Sequence, residues 1–200
     1  MARTGFSSHL FVLAIGVMLF LLIMRSKHPY DVPTAMFFTW SLALLQRERF
    51  KAYAFLFPFI CLNRETAILL PALFGVHFFS RMDRRSYLVL LIYQLAVYAG
   101  IRIALMWIFA DNPGSEFLFR PRENLQFYAD NPVATYLFIL FVATVLCLVA
   151  ARWRQAPPLM RTAFLIWTPV LSVLYLISGV SFEVRVFVEL LPVVAIIGSS

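Results

Sequence analysis

The sequence has 200 residues, of which 62% are hydrophobic and only 14% charged, with a mean hydropathy of +0.84. Soluble domains are typically about 45–50% apolar and about 25% charged, so this composition excludes an ordinary soluble domain and predicts an integral membrane protein. The net charge of +7 does not point to nucleic acid, because much of it lies in short loops, where Lys and Arg set orientation and meet anionic lipid.

Phe6–Met24 reads as a first span with Arg3 before it. Leu10–Met24 has the length of a signal h-region, but Arg25 and Lys27 follow in place of a small-residue cleavage site, so no cleavable signal is expected. After the short polar loop Arg25–Asp31, Pro33–Gln46 is apolar, with Pro at its start, where a helix tolerates it. Arg47–Lys51 is a basic turn. The apolar stretch Ala52–Phe79 is interrupted midway by Asn63-Arg64-Glu65 and followed by the basic turn Arg81–Arg85. Tyr87–Ala110 is long enough to span and carries Arg102 in its final third. Residues 111–131 form the longest polar stretch and are expected to be an extracytoplasmic loop. Pro132–Ala151 and Thr162–Gly179 span again, separated by the basic segment Arg152–Arg161, and Val186–Ser200 begins a last segment. The fold expected is all-α: one integral membrane domain over 1–200, a polytopic transmembrane bundle of about 7–8 membrane segments with some short or kinked helices.

The centre of this pattern is the polar interruption at residues 63–65. A charge at mid-bilayer costs roughly 2.5–3.5 kcal/mol, so Arg64 and Glu65 need partners, water or a place at the membrane surface. Basic clusters collect on the cytoplasmic side. One helix through 52–79 would put the two flanking clusters on opposite sides; a hairpin over 52–80 with its tip at 63–65 puts both inside and the tip outside. Its arms and Pro33–Gln46 are only about 11–14 residues, or roughly 16–21 Å of helix against a core of about 30 Å, so the hairpin is re-entrant or short. Pro58 and Pro71 flank the tip and can kink its arms. With a cytoplasmic N-terminus, only Glu48 and Asp83 among the acids fall inside, and Asp31, Glu65, Asp111, Glu116, Glu123, Asp130, Glu183 and Glu189 fall at or near the outer surface. A polar extracytoplasmic site and ordinary loop solvation both account for that concentration.

Several groups are candidate site residues. Asn63, Arg64 and Glu65 supply an amide, a cation and a carboxylate; Arg64 suits a phosphate through its planar fork, and equally suits a helix-tying ion pair. Glu183, Arg185, Glu189 and Pro192 open the last segment, and on an α-helix Arg185, Glu189 and Pro192 share a face. Asp31 reads first as a helix start and second as a catalytic acid, and Glu65 is the other candidate catalytic carboxylate. Arg120 and Arg122 offer an anion-binding loop or a solvated one. Adjacent on the chain, Arg64 and Glu65 cannot satisfy each other well, so Glu65 is expected to pair with Arg185, and Arg64 with Glu183 or Glu189. Cys61 and Cys147 lie in apolar segments, with no zinc or disulfide spacing.

Tyr30-Asp31-x-Pro33 before Phe37-Phe38, Leu62-Asn63-Arg64-Glu65-Thr66, and Glu183-x-Arg185-x-x-x-Glu189-x-x-Pro192 together resemble a group of bacterial polytopic proteins similar to the GT-C superfamily of membrane glycosyltransferases. The resemblance covers most of the chain from about Tyr30. It implies transfer of a sugar from a polyprenyl-phosphate donor on the extracytoplasmic face of the bacterial inner membrane, with membrane lipid and lipid-linked sugar as partners. A requirement for a divalent metal stays open. Arg64 and Arg185 would hold donor phosphate, and Asn63 and Glu65 would shape the site. Family members usually carry a catalytic acid in a large loop after their first helix. Here that loop is only Arg25–Asp31, so the chain is expected to lack an N-terminal portion or to rely on a membrane protein partner. The alternative is a non-enzymatic membrane protein, a transporter fragment or assembly subunit, in which the polar cluster is structural.

Overall fold

The computed structural model describes residues 31–112, 119, 121–178 and 184–200, with side chains at all of these except 134, 137, 178 and 184–186. Every regular element among them is helical: α1 (Asp31–Gln46), α2 (Phe50–Asn63), a 3-10 turn (Glu65–Ile68), α3 (Leu69–Phe78), α4 (Arg84–Ile108), α5 (Pro121–Asp130), α6 (Pro132–Arg152), α7 (Pro158–Ser178), a 3-10 segment (Val184–Leu190) and α8 (Leu191–Ser199). Two of them, Arg84–Ile108 and Pro158–Ile177, are long and apolar enough to cross a membrane. The expected span Phe6–Met24 lies outside the described residues. By its packing the chain divides into two compact units, Tyr30–Glu116 and one that takes in Phe117–Ser200.

The first unit is an antiparallel arrangement of α1 to α4. The buried positions of α1 are Asp31, Thr34, Phe38, Ser41, Leu42 and Leu45, three to four residues apart as one helix face requires. They meet Tyr53, Phe57, Ile60 and Cys61, the buried positions of α2. Thr34, near the start of α1, is bonded to Asn63 at the end of α2, so the two helices run in opposite directions. The helices α2 and α3 fold back beside each other. Phe50, which opens α2, packs edge-on against Phe74 and Phe78 near the end of α3, with ring centroids 6.1 and 5.3 Å apart. At the tip Arg64 is extended, with φ −157° and ψ 144°, which ends α2 after Asn63. Pro71 falls in the first turn of α3, where its missing N–H costs nothing. The helix α4 then lies along the hairpin. Tyr87 stacks on Phe74 at 5.8 Å and bonds to the Gly75 carbonyl at 2.9 Å near the base; Tyr98 and Arg102 reach the tip.

Backbone hydrogen bonds explain how so short a hairpin is held. Pro58 inside α2 has no N–H to give the carbonyl of Ala54, four residues earlier. The Tyr93 hydroxyl donates to that carbonyl at 2.9 Å. Beside it the buried Tyr53 hydroxyl donates to Gln94 at 2.7 Å, and Gln94 donates to the carbonyl of Leu90 at 3.2 Å. At the opposite end, α1 closes through two bonds, Arg49 N–H to the Leu44 carbonyl and Glu48 N–H to the Leu45 carbonyl. This is the Schellman pattern, which places Glu48 at the left-handed position, φ 54°.

In the second unit α5 docks on the end of α7. Asn124 donates to the Leu176 carbonyl at 3.3 Å, and the Tyr128 and Tyr175 hydroxyls are hydrogen-bonded to each other. The expected loop over 111–131 therefore contains a helix: Pro121 starts it, and its polar sequence hid it from a search for apolar runs. A cavity of about 540 Å³ lies among α5 to α8, lined almost wholly by apolar side chains such as Phe138, Val145, Phe164 and Leu191. The last segment begins as a 3-10 helix over 184–190. With three residues per turn, positions four apart no longer align, so the single α-helical face expected for Arg185, Glu189 and Pro192 does not form.

Candidate functional site

Charge separates the ends of the first unit. Arg47, Arg49 and Lys51 lie in or just after the turn that joins α1 to α2, and Arg81, Arg84 and Arg85 at the turn before α4. At the other end the α1–α2 seam, apolar below, finishes in polar residues. Asp31 and Thr34 continue the buried face of α1, and Arg64 follows Tyr53, Phe57 and Ile60 at helical spacing. Arg64 Nη1 lies 3.3 Å from Asp31 Oδ1, with the side chains only 14% and 2% exposed. One turn below, Asn63 Nδ2 donates to Thr34 Oγ1 at 2.7 Å. The pair is within hydrogen-bonding reach, and water has little access to it.

A second pair stands at the same tip. Arg102 Nη1 is 3.8 Å from Glu65 Oε2, with Arg102 21% and Glu65 78% exposed. Arg102 Nη2 donates to the Cys61 carbonyl at 3.1 Å, in the last turn of α2, where a helix presents unpaired carbonyls and favours a cation. One turn earlier on α4, the Tyr98 hydroxyl donates to the Glu65 carbonyl at 2.9 Å, and the Arg102 guanidinium lies 5.8 Å from the centre of the Tyr98 ring. Thus α4 clamps both sides of the hairpin tip. The helix starts firmly at its other end: Asp83 caps it, accepting from the Ser86 N–H at 2.8 Å. That bond and the Ser86 hydroxyl hold the Asp83 carboxyl below the usual aspartate range.

The structure thus brings together Asp31, Asn63, Arg64 and Glu65 of the sequence candidates. Asp31 lies in the first turn of α1, as its reading as a helix start expected, and is paired with Arg64 in the polar cluster. Glu65 points outward. Among the described residues the carboxylate beside Arg64 is Asp31 and the cation beside Glu65 is Arg102. Glu183, Arg120 and the Arg185 side chain lie outside the described residues, and the expected pairing of the tip with Glu183 and Arg185 falls with them. Glu189 is buried within the second unit, and Arg122 is exposed on α5. Sequence reasoning gave Arg102, Thr34 and Tyr98 no role. Arg102 carried a signal, because it is the one charge in α4 after Arg85 and an ionisable residue in an apolar span is functional by default. Among the described residues no three His, Cys, Asp or Glu side chains converge as a metal site.

No protein-family model, curated protein or solved structure matches this chain. The fold and the site themselves define a helical protein with two helices able to cross a membrane and a polar cluster of two cations and two acids at one end of a four-helix unit.

Proposed function

We propose that the chain is a multi-pass protein of the bacterial inner membrane, with the Asp31–Arg64 end of its first unit at the extracytoplasmic surface. In our reading it is a GT-C-like glycosyltransferase, or an incomplete relative of one, that takes a sugar from a polyprenyl-phosphate donor. The observation that carries the reading is the position of the Asp31–Arg64 pair, shielded at the top of a helix seam and opposite two basic turns. Asp31 would accept the proton of the acceptor hydroxyl as its oxygen attacks the anomeric carbon. The bond from that carbon to phosphate oxygen breaks with inversion, and Arg64 counters charge on the departing phosphate. Asn63 and Thr34 fix the ends of the two helices that carry these groups. The test is sugar transfer in proteoliposomes from a polyprenyl-phosphate sugar. Asp31→Asn should lower the rate by about 10²-fold or more. It also leaves Arg64 buried without its counter-ion, at a cost of about 3–5 kcal/mol. The Asp31→Asn/Arg64→Gln variant removes both charges, so it should fold and still not transfer. Undiminished transfer by that double variant would overturn the reading.

A second reading is favoured by the charge balance. The two acids and two cations at the tip offset one another, which is what a purely structural clamp in a transporter fragment or assembly subunit needs. In that case Asp31→Asn/Arg64→Gln changes stability alone, and no sugar transfer is found for the unaltered chain.

A further inference from the structure

The second unit encloses a space that its own side chains do not fill. Phe164, Thr168, Ser172 and Tyr175 line the cavity of about 540 Å³ from α7, and their spacing puts them on one stripe of that helix. The stripe is bulky at its ends and small in its middle. Phe138 of α6 stacks on Tyr175 at 5.8 Å, and Trp153, just past the end of α6, meets Phe164 edge-on at 6.0 Å. These two aromatic pairs hold α6 and α7 apart, and Thr168 and Ser172 are too short to close the gap. Both helices pack more closely on α8 than on each other.

Dimensions and lining select the occupant. Phe164 and Tyr175 stand three turns apart on α7, about 17 Å at 1.5 Å per residue. That is close to the depth of one leaflet, half of a bilayer core of about 30 Å. A volume of about 540 Å³ over that length gives a slot with a mean cross-section of about 30 Å². A helix about 10–12 Å across would need about 80–110 Å², so a helical segment does not fit, and a single hydrocarbon chain does. Water does not suit the slot either, because a buried water needs about 2–4 polar partners. The Thr135 and Thr144 hydroxyls already donate to the Tyr128 and Leu140 carbonyls at 2.6 and 2.7 Å, and Thr168 Oγ1 is buried within the wall. Leu146, Leu148 and Leu176 line the slot and are exposed, so it is open along its side, where a chain can enter from a bilayer. Its α5 end gathers the hydroxyls of Tyr128, Thr135 and Tyr175.

We infer that this slot is a binding site for one fatty acyl chain, with its methyl end toward Phe164 and its ester or carboxyl end at the Tyr128–Tyr175 hydroxyls. A polyprenyl chain, longer than one leaflet and branched at every unit, overruns it. The inference uses neither the Asp31–Arg64 pair nor sugar transfer, and either can fail while the other stands.

The experiment is photolabelling of the purified full chain in nonionic detergent with hexadecanoic acid that carries a diazirine at its methyl end. Labelling should saturate, and the labelled residues should cluster near Leu148 and Phe164. Unlabelled hexadecanoic acid and a hexadecanoyl lysophospholipid are the competitors. Competition by both shows that an esterified chain enters, and competition by the acid alone shows that the carboxyl end must be free; either upholds the acyl site. Octanoic acid should compete at least about threefold more weakly at equal mole fraction in the micelle, because a short chain leaves half the wall without contacts. Val145→Trp adds a ring midway along the α6 wall and should lower saturable labelling about fivefold or more, since a slot one chain wide cannot hold both. Ser172→Phe narrows the slot from α7 and serves the same purpose if Val145→Trp does not fold. Ile139→Trp, at an exposed position outside the lining, should leave labelling unchanged. Labelling that does not saturate, or that spreads evenly over the exposed faces of α6 and α7 and persists in both filled variants, would overturn the inference. So would a polyprenyl phosphate that competes better than hexadecanoic acid. Absence of sugar transfer with acyl labelling intact would count against the proposed function alone.

Discussion

A single missing N–H shapes the interior of the hairpin. Pro58 leaves the Ala54 carbonyl without its helical donor, and Tyr93, from a helix far along the chain, supplies one. Tyr93→Phe should therefore destabilise the protein by about 1 kcal/mol, the cost of a half-buried carbonyl that loses its hydrogen bond. In a Pro58→Ala background the residue at 58 regains its N–H, and the same Tyr93→Phe change should cost far less. Thermal unfolding of the four proteins of this cycle in detergent measures the difference, and equal costs in the two backgrounds would refute the assignment. The sequence shows that Pro58 sits in an apolar run, but not what answers it, because the donor lies 39 positions away. The same reason hid the Asp31–Arg64 pair, whose members are 33 positions apart. Each residue was legible as polar in an apolar setting, and neither named its partner.

Among the elements, helices bounded by chemical punctuation were the most legible. Basic turns and prolines bracket α2, α4, α6 and α7, and a long apolar run between two charged ends allows little else. Two elements were not legible for opposite reasons. The helix α5 is polar, so it reads as a loop until its packing on α7 is seen. The segment Val184–Leu190 is apolar enough to read as the start of an α-helix, yet it is wound as a 3-10 helix. The turn from α1 to α2 holds a third surprise, since a glutamate occupies the left-handed position where helices usually end in glycine. Glu48→Gly should stabilise the protein by about 1 kcal/mol, the strain of holding an L-residue in that conformation. A rise in melting temperature of the purified chain checks this, and a fall would mean that the Glu48 carboxylate contributes more than its backbone costs.

At the scale of the molecule, the first unit carries its basic turns at one end and its balanced ion pairs at the other. The sequence made the hairpin legible because basic clusters flank both sides of 52–79 and polar residues interrupt its middle. The packing of Phe50 against Phe74 and Phe78 gives that hairpin its physical form. The central claim is that both basic turns face the cytoplasm and the tip between them reaches the opposite surface. It is tested most directly by labelling intact cells with a membrane-impermeant maleimide, using single cysteines at Lys51, Glu65 and Arg85 in a Cys61→Ala/Cys147→Ala background. The account predicts that the cysteine at 65 reacts in intact cells, while those at 51 and 85 react only after the membrane is opened. Reaction of 51 and 85 from opposite sides would contradict it, since the stretch between them would then cross the membrane once.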